Sequence, residues 1–412
     1  MATIQSPTSP PEPRRRPTIL FLLGTLLLVA VIAVTLQVRR LSFERWLRTA
    51  SIEELAAAAP RHLEETELFV RLGTEARQRE QWPRAVKAFQ HACELAPDRA
   101  DAWIGWARST YEIADFRAAD AILTDFLRRH PEDSRVYLER AALRRDARHT
   151  ESAWLDADRA TRLKPDFGDA WALRGDLCLD QGIAGEAEVS YLRARALMPD
   201  SAWPMVGLYQ AYIANKKHQE ALKLANHLRE RFPNLPERSL YLGEASVLTA
   251  RTSEEYAKAR DILETARKSA ESLRQMDRFT VEFLIGRSYY GQKDWKNALA
   301  YFETADKIAP NNPDLLFLLG RTYRFLGQEA KAEATLTRHR KAYEDQAELR
   351  RFQAKLNETP DDRETRLAFA RWYVSKDLLR PALIQYEELI ARNPNDAVAQ
   401  QERAALERPG AR

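Results

Sequence analysis

A proline recurs at a fixed interval through residues 97–233. Pro97, Pro131, Pro165, Pro199 and Pro233 follow one another at steps of 34 residues, and chance does not produce four equal steps in a row. Self-similarity with a period of about 20–50 residues is typical of repeat architectures, in which each unit packs on its neighbours along the chain. This spacing constrains the fold more than any other feature, because it requires an array of similar units.

Small and aromatic residues keep register with these prolines. Ala85 is followed four residues later by Phe89, and Ala187 by Tyr191. Residues four apart share one face of a helix, and a small residue lets a second helix approach closely. The apolar period breaks about midway through each unit, at stretches such as Glu80-Gln81-Trp82. With 14 glycines in 412 residues and abundant Ala, Leu, Glu and Arg, the sequence predicts pairs of antiparallel helices.

The units resemble the tetratricopeptide-repeat (TPR) family, whose pattern is W-x2-L-G-x2-Y, then A-x3-F, then P. The seventh unit shows the pattern in Ile285, Gly286, Tyr289, Ala298, Phe302, Ala305 and Pro310. Nine units start near Thr66, Ala100, Ser134, Gly168, Ala202, Pro236, Phe279, Pro313 and Arg363, over about four fifths of the chain. The resemblance implies an all-α, right-handed superhelical solenoid with a groove lined by the first helix of each pair.

The predicted organisation has five parts. They are a disordered tail (1–17), a transmembrane helix (18–38), a linker and capping helix (39–63), the TPR solenoid (64–399) and a C-terminal tail (400–412). Within the solenoid, an insertion at 343–360 is either a prolonged second helix or one extra helix, stopped by Pro360. Ser51 and Glu54 predict a capping box for the capping helix.

The segment from Thr18 to Val38 contains 21 residues without a charge, and a helix of that length spans roughly 30 Å of hydrocarbon. We predict a single-pass anchor; a cleaved signal peptide with a weak site at Val31-Ile32-Ala33 is the alternative. Arginines flank the segment on both sides. The excess of positive charge that marks the cytoplasmic side of a membrane helix is therefore nearly equal on the two sides. We expect the tail in the cytoplasm and the repeats outside it, in a bacterial inner membrane.

Catalytic and metal-binding patterns are not found in the sequence. The seven histidines are scattered without a pair at i and i+4, and Cys93 and Cys178 are too far apart for a zinc site. We interpret the histidines as surface residues and the cysteines as packing residues. Neither a phosphate-binding glycine loop nor a nucleophile motif occurs. We therefore predict that the protein is not an enzyme and binds no metal or cofactor.

The third unit departs from the pattern, with Arg140 and Ala157 where larger apolar residues are expected. This predicts weaker packing there. Five arginines cluster in the same unit: Arg135, Arg140, Arg144, Arg145 and Arg148. Because Glu139 and Asp146 interrupt them, we interpret the cluster as a solvated helix face. With 64 basic and 60 acidic residues overall, the charge balance gives no indication of a nucleic-acid partner.

The TPR resemblance also implies which side chains face the groove. In the fourth and sixth units they are acidic: Asp169, Asp176, Asp180, Glu237 and Glu244. In the seventh and eighth units they are basic and aromatic: Phe283, Arg287, Tyr290, Phe317, Arg321, Arg324 and Phe325. Such a groove suits a peptide with acidic and apolar residues. The alternative, that part of this set is ordinary helix surface, stays open.

The predicted function is a membrane-tethered scaffold that binds partner proteins or peptides in the TPR groove, in envelope assembly or secretion. The alternative is a regulatory or substrate-presenting subunit of a membrane enzyme. Both need protein partners, and neither needs nucleic acid or a small-molecule cofactor.

Overall fold

Helices make up all the regular structure in the part of the chain that the computed structural model describes, residues 16–113, 116–268, 275–359 and 361–407. This confirms the all-α prediction. The helices are α1 (Arg16–Thr49), α2 (Ile52–Ala58), α3 (Thr66–Gln78), α4 (Trp82–Leu95), α5 (Ala100–Ile113), α6 (Phe116–Arg129), α7 (Ser134–Asp146), α8 (Thr150–Leu163), α9 (Gly168–Asp180), α10 (Ala184–Leu197), α11 (Ala202–Ala214), α12 (His218–Arg231), α13 (Arg238–Thr249), α14 (Ser253–Lys268), α15 (Gln275–Gly291), α16 (Trp295–Ile308), α17 (Pro313–Phe325), α18 (Glu329–Glu358), α19 (Arg363–Ser375), α20 (Leu379–Arg392) and α21 (Ala397–Glu407).

The chain divides into two units, residues 1–115 and 116–412. In the first unit α2 packs on α3, α3 on α4 and α4 on α5; in the second, each helix from α6 to α21 packs on the next. The helices that begin each predicted repeat, α3, α5, α7, α9, α11, α13, α15, α17 and α19, start within four residues of the predicted positions. Within each unit the helices thus form a TPR-like array.

Most of the described short turns between paired helices contain one residue with a left-handed backbone. This residue recurs at the same repeat position in the second unit, at Arg148 (φ 68°), Gly182 (φ 76°) and Lys216 (φ 58°). Glycine adopts this conformation without a steric penalty, whereas arginine and lysine adopt it at some cost. The repeat geometry therefore overrides local preference at the turns.

Aromatic side chains of the second helices insert between glycines of two successive first helices. A Cβ atom on Gly175 would lie 2.8 Å from the ring of Tyr191, and one on Gly207 would lie 2.1 Å from it. Tyr191 is fully buried. These glycines therefore make room for a large apolar group that packs two adjacent repeats together.

The third repeat has a buried charged network in place of such an aromatic. Arg140 donates to both carboxylate oxygens of Asp156 at 2.7 and 2.8 Å, and Arg144 donates to Asp156 at 3.0 Å and to Asp120 at 2.6 Å. The side chains of Arg140 and Arg144 are 12% and 17% exposed. The interpretation of the arginine cluster as a solvated face is wrong for these two residues, because the carboxylates that bind them come from the facing helices α6 and α8.

The insertion at 343–360 is a prolonged second helix, since α18 runs unbroken for 30 residues. Its distal half packs on the ninth repeat. The rings of Phe352 and Phe369 stack with centroids 4.9 Å apart, and Lys376 Nζ lies 2.5 Å from Asp345 Oδ1. Pro360 lies outside the described residues.

The described part of the chain begins with α1 and ends with α21. The backbone of α1 includes the predicted anchor, but residues 1–15 and the side chains of residues 16–30 lie outside the described part. Among the described residues, no helix combines the length and the apolar composition that a membrane span requires. The capping box is present, with Ser51 and Glu54 bonded reciprocally. In the predicted C-terminal tail, residues 400–407 complete α21, and Glu402 accepts a hydrogen bond from Tyr386.

Candidate protein-interaction surface

A stripe of exposed side chains runs along α17. Phe317, Arg321 and Phe325 stand four residues apart on one face, and the two phenylalanines are 41% and 49% exposed. The orientation of this face is fixed because Leu315 and Leu319 on another face are buried in the core. Asn312 caps the helix by accepting a hydrogen bond from the Leu315 amide.

The guanidinium of Arg321 is surrounded by aromatic rings. Its Cζ lies 5.4 Å from the ring centroid of Phe317, 5.7 Å from Phe325 and 6.0 Å from Tyr290 of α15. Trp295, the first residue of α16, stacks on Phe325 at 4.3 Å with an interplanar angle of 17°. We call these five residues the Arg321 patch. Cation–π contacts position a guanidinium but leave its charge in place.

Among the described residues, no carboxylate lies within ion-pair distance of Arg321. Arg321 is exposed, whereas the half-buried Arg140, Arg174 and Arg338 of the same unit each pair with a carboxylate of this chain. The N–H donors of Arg321 thus stay available for an external acceptor, such as a carboxylate, which can bind a guanidinium through two parallel hydrogen bonds.

The other predicted basic and aromatic residues lie apart from the patch. Arg324 Nε is 3.9 Å from Glu329 and its side chain is 55% exposed. Phe283 is half-buried and contacts the core, with its ring centroid 6.0 Å from that of Phe302. Arg287 is half-buried, and its positive charge acts on Glu244 of α13.

The predicted acidic groove residues mostly bind groups of this chain. Asp176 accepts hydrogen bonds from Arg145 at 2.6 Å, Tyr191 at 2.5 Å and Trp203 at 3.3 Å. Burial raises the pKa of Asp176, although Arg145 opposes the shift. Asp180 also pairs with Arg145, at 3.1 Å. These two carboxylates therefore have little capacity left for a partner.

The remaining acidic residues differ in exposure. Asp169 is exposed and Glu237 is half-buried at the start of α13. Glu244 accepts a hydrogen bond of 2.8 Å from Tyr209, and burial raises the pKa of the Glu244 carboxyl. Of these three residues, Asp169 has the most exposed position and Glu244 the most buried one.

Three aromatic side chains near the stripe were missed by the sequence reasoning. They are Trp295, His339 and Tyr343; His339 lies 5.5 Å from Phe317 and 6.0 Å from Tyr343, centroid to centroid. They belong to second helices, whereas the groove prediction considered only first helices. The sequence did contain a pattern that could have indicated Trp295, because Trp82 is likewise the first residue of the second helix of its repeat.

Part of the chain matches the models of a known protein family. Two models described as tetratricopeptide repeat match residues 245–313 and 289–356. These residues form tetratricopeptide repeats. All five residues of the Arg321 patch lie within the second match, so the patch belongs to the TPR part of the chain. A search of curated proteins found no match.

Solved structures similar to the chain include a tetratricopeptide repeat protein from Parabacteroides merdae, with 16% identity over 62% of this chain and 98% of that one and a TM-score of 0.45. The Cut9–Hcn1 hetero-tetramer of the APC/C matches with 14% identity, 84% and 57% coverage and a TM-score of 0.43. YrrB, a TPR protein with an unusual peptide-binding site, matches with 16% identity, 47% and 95% coverage and a TM-score of 0.38.

Proposed function

We propose that this protein is an interaction scaffold whose Arg321 patch binds a peptide segment with a carboxylate next to apolar side chains. TPR proteins generally mediate protein–protein interactions. The observation that supports the proposal is a guanidinium held among exposed rings without a carboxylate partner in the described chain. Arginine and large aromatic residues are also the types most often found to dominate binding energy at interfaces.

The patch favours acidic over basic peptides because a cationic segment would face the Arg321 charge without compensation. Phe317 and Phe325 flank that charge on the same helix face, so apolar peptide residues on both sides of the carboxylate can bury them. A charge-assisted hydrogen bond contributes about 1.5–3 kcal/mol. Loss of Arg321 should therefore weaken binding by about ten- to a hundredfold.

Selection from a library of random peptides displayed on phage tests this proposal. Peptides selected by the parent protein should be enriched in Asp or Glu beside aromatic or aliphatic residues. The variant Phe317→Ala, Arg321→Ala, Phe325→Ala should lose that enrichment while keeping its helicity, since these side chains are exposed. Affinity of the selected peptides for the parent should fall as salt is raised.

A matched control changes two exposed apolar residues and one exposed arginine elsewhere in the same unit. Leu155 and Val189 are 51% and 62% exposed, and Arg193 is exposed on α10. The variant Leu155→Ala, Val189→Ala, Arg193→Ala should select the same peptides as the parent. Equal loss in both variants, or undiminished binding by the patch variant, would contradict the proposal.

We also propose that residues 18–38 tether this scaffold to a bacterial inner membrane, with the repeats outside the cytoplasm and a role in envelope assembly or secretion. The supporting observation is the run of 21 uncharged residues. A chain that begins at Leu41 should leave the membrane fraction on carbonate washing, and its retention there would contradict the tether. Cysteines placed beside the repeats should react with a membrane-impermeant reagent in intact cells.

In this proposal the protein itself does no chemistry. The alternative is that the groove presents a substrate to a membrane enzyme on another chain. That alternative would be supported by an enzyme that co-purifies from solubilised membranes and whose turnover falls when the Arg321 patch is replaced.

A further inference from the structure

Two segments of the second unit that are far apart in sequence meet through charged side chains. Glu151 of α8 accepts hydrogen bonds from Arg366 of α19 at 2.5 Å and from Arg392 of α20 at 3.0 Å, over 215 and 241 residues of sequence. Next to them, His149 Nδ1 lies 2.6 Å from Glu388 Oε1, over 239 residues. The third and ninth repeats are therefore in direct contact.

A fourth pair extends this contact towards solvent. Arg117 of α6 donates to Glu387 of α20 at 2.6 Å, and the two side chains are 48% and 25% exposed. Ser152 adds a hydrogen bond of 3.4 Å to Glu388. The exposure of the side chains thus increases from the centre of the contact to its rim, as in a protein–protein interface.

The central groups of this contact are almost fully removed from water. The side chains of Arg366, His149 and Glu388 are 3%, 8% and 10% exposed. The interpretation of His149 as a surface residue is wrong, because the ring of Phe116 stacks on it at 4.4 Å and Glu388 covers another side. Burial alone raises the pKa of Glu388, but His149, Arg392 and Arg366 outweigh it and lower the pKa to about 2.

An interface of this composition is suited to reversible closure. The attraction within a buried ion pair is largely offset by the hydration that both charges lose, so the pair adds little net free energy to the closed state. Removing one partner costs much more if the site stays closed, because the other charge is then buried without compensation. If a carboxylate is neutralised, the remaining arginines can rehydrate by opening the contact, and the repeats themselves need not unfold. Each repeat keeps its own core, as around Tyr386 in the ninth.

We propose that these pairs form an ionic latch that closes α19–α20 on α6–α8, and that the second unit exists in a closed and an open state. A cavity of about 670 Å³ adjoins the latch, with Arg148 and Glu151 on one wall and Phe369, Tyr373 and Ile384 on the other. Since its walls come from the third and ninth repeats, the cavity exists only in the closed state. The latch does not depend on the Arg321 patch.

Distance measurement between two spin labels tests the latch. Ala121 on α6 and Ala391 on α20 are exposed, take no part in the ion pairs and line the same groove beside the latch. Labels on Ala121→Cys and Ala391→Cys should give one narrow short-distance population in pulsed electron resonance. Cys93 and Cys178 are buried, and the parent chain without added cysteines controls for their labelling.

Neutralising the two buried carboxylates should open the latch. In Glu151→Gln, Glu388→Gln the short-distance population should fall at least tenfold relative to longer distances, while circular dichroism stays unchanged. The control Glu254→Gln, Glu333→Gln makes the same change in net charge at exposed sites and should keep the short distance. A parent without the short-distance population, or a latch variant that retains it, would overturn the proposal.

A charge swap at the rim gives a second test that keeps Glu151 and Glu388 in place, and it also removes the 3.8 Å contact of Glu387 Oε2 with His149 Nε2. Glu387→Arg places two arginines opposite each other and should broaden the distance distribution. Adding Arg117→Glu restores an ion pair of reversed polarity and should restore the short distance. If the single variant has no effect, or if the double variant stays as broad as the single one, the ion pairs do not hold the closure.

Discussion

Replacement of Asp156 by alanine should loosen the third repeat selectively. Asp156 is 4% exposed and accepts three N–H bonds, two from Arg140 and one from Arg144. Breaking a buried ion pair from one side costs about 3–5 kcal/mol, because the remaining charge is left without compensation. Arg144 keeps its pair with Asp120, so we expect the lower end, about 3 kcal/mol.

Hydrogen exchange is the appropriate assay because solenoid stability is a sum of local terms and global unfolding need not be two-state. A loss of about 3 kcal/mol corresponds to a loss of about a hundredfold in protection. That loss should appear in the amides of α7 and α8. The amides of α16 and α17, several repeats away, should exchange at the parent rate.

Two variants separate the ionic explanation from others. Asp169→Ala removes an exposed carboxylate from α9 and should change protection by less than a few-fold. The pair Arg140→Met, Asp156→Leu removes both charges at once and should recover most of the protection, since apolar replacement of a whole ion pair is often neutral. Undiminished protection in Asp156→Ala would refute the reasoning, as would an equal loss in the apolar double variant.

Two predictions concern packing and pH. Gly207→Ala places a methyl group 2.1 Å from the Tyr191 ring and should lower stability by about 1–3 kcal/mol, measured as lost protection in α10 and α11. Gly185→Ala meets no atom within 4 Å and should stabilise its helix by up to about 1 kcal/mol. Because the pKa of Glu388 is lowered from 4.5 to about 2, its contribution to the latch is complete above about pH 4.5 and lost as the pH falls towards 2. Burial raises the pKa of the other latch carboxylate, Glu151, against the opposing charges of Arg366 and Arg392, so Glu151 is neutralised at a higher pH than Glu388. The spin-label distance should therefore lengthen in acid before helicity is lost.

The repeat period predicts the helices well because the same physical requirement recurs in every unit. Close helix packing needs a small residue at one position and a large apolar one at another, as with Gly175 and Tyr191, and this requirement is visible in a single sequence. The stripe on α17 follows from the same register, since its exposed face is the complement of Leu315 and Leu319.

The polar contacts between distant segments could not be predicted in this way. Arg140 and His149 were expected at the surface because their side chains are polar, but these side chains are buried against groups on other helices, in the case of His149 against a carboxylate 239 residues away. Helical periodicity specifies which face a residue occupies, but not which element covers that face. Trp295 was missed for a related reason, since the side chains around Arg321 come from second helices as well as first.

The length of α18 sets the angular position of the ninth repeat. Each residue added to or removed from a helix turns everything beyond it by about 100° and shifts it by about 1.5 Å. Removal of seven residues between the eighth and ninth repeats would return α19 to within about 20° of its present orientation but would move it by about 10 Å along the helix axis, whereas removal of two would turn it by about 200°. Either change would take Glu388 out of reach of His149. The closed state therefore requires α18 at its present length, and a change of even one residue should separate the two sides of the latch.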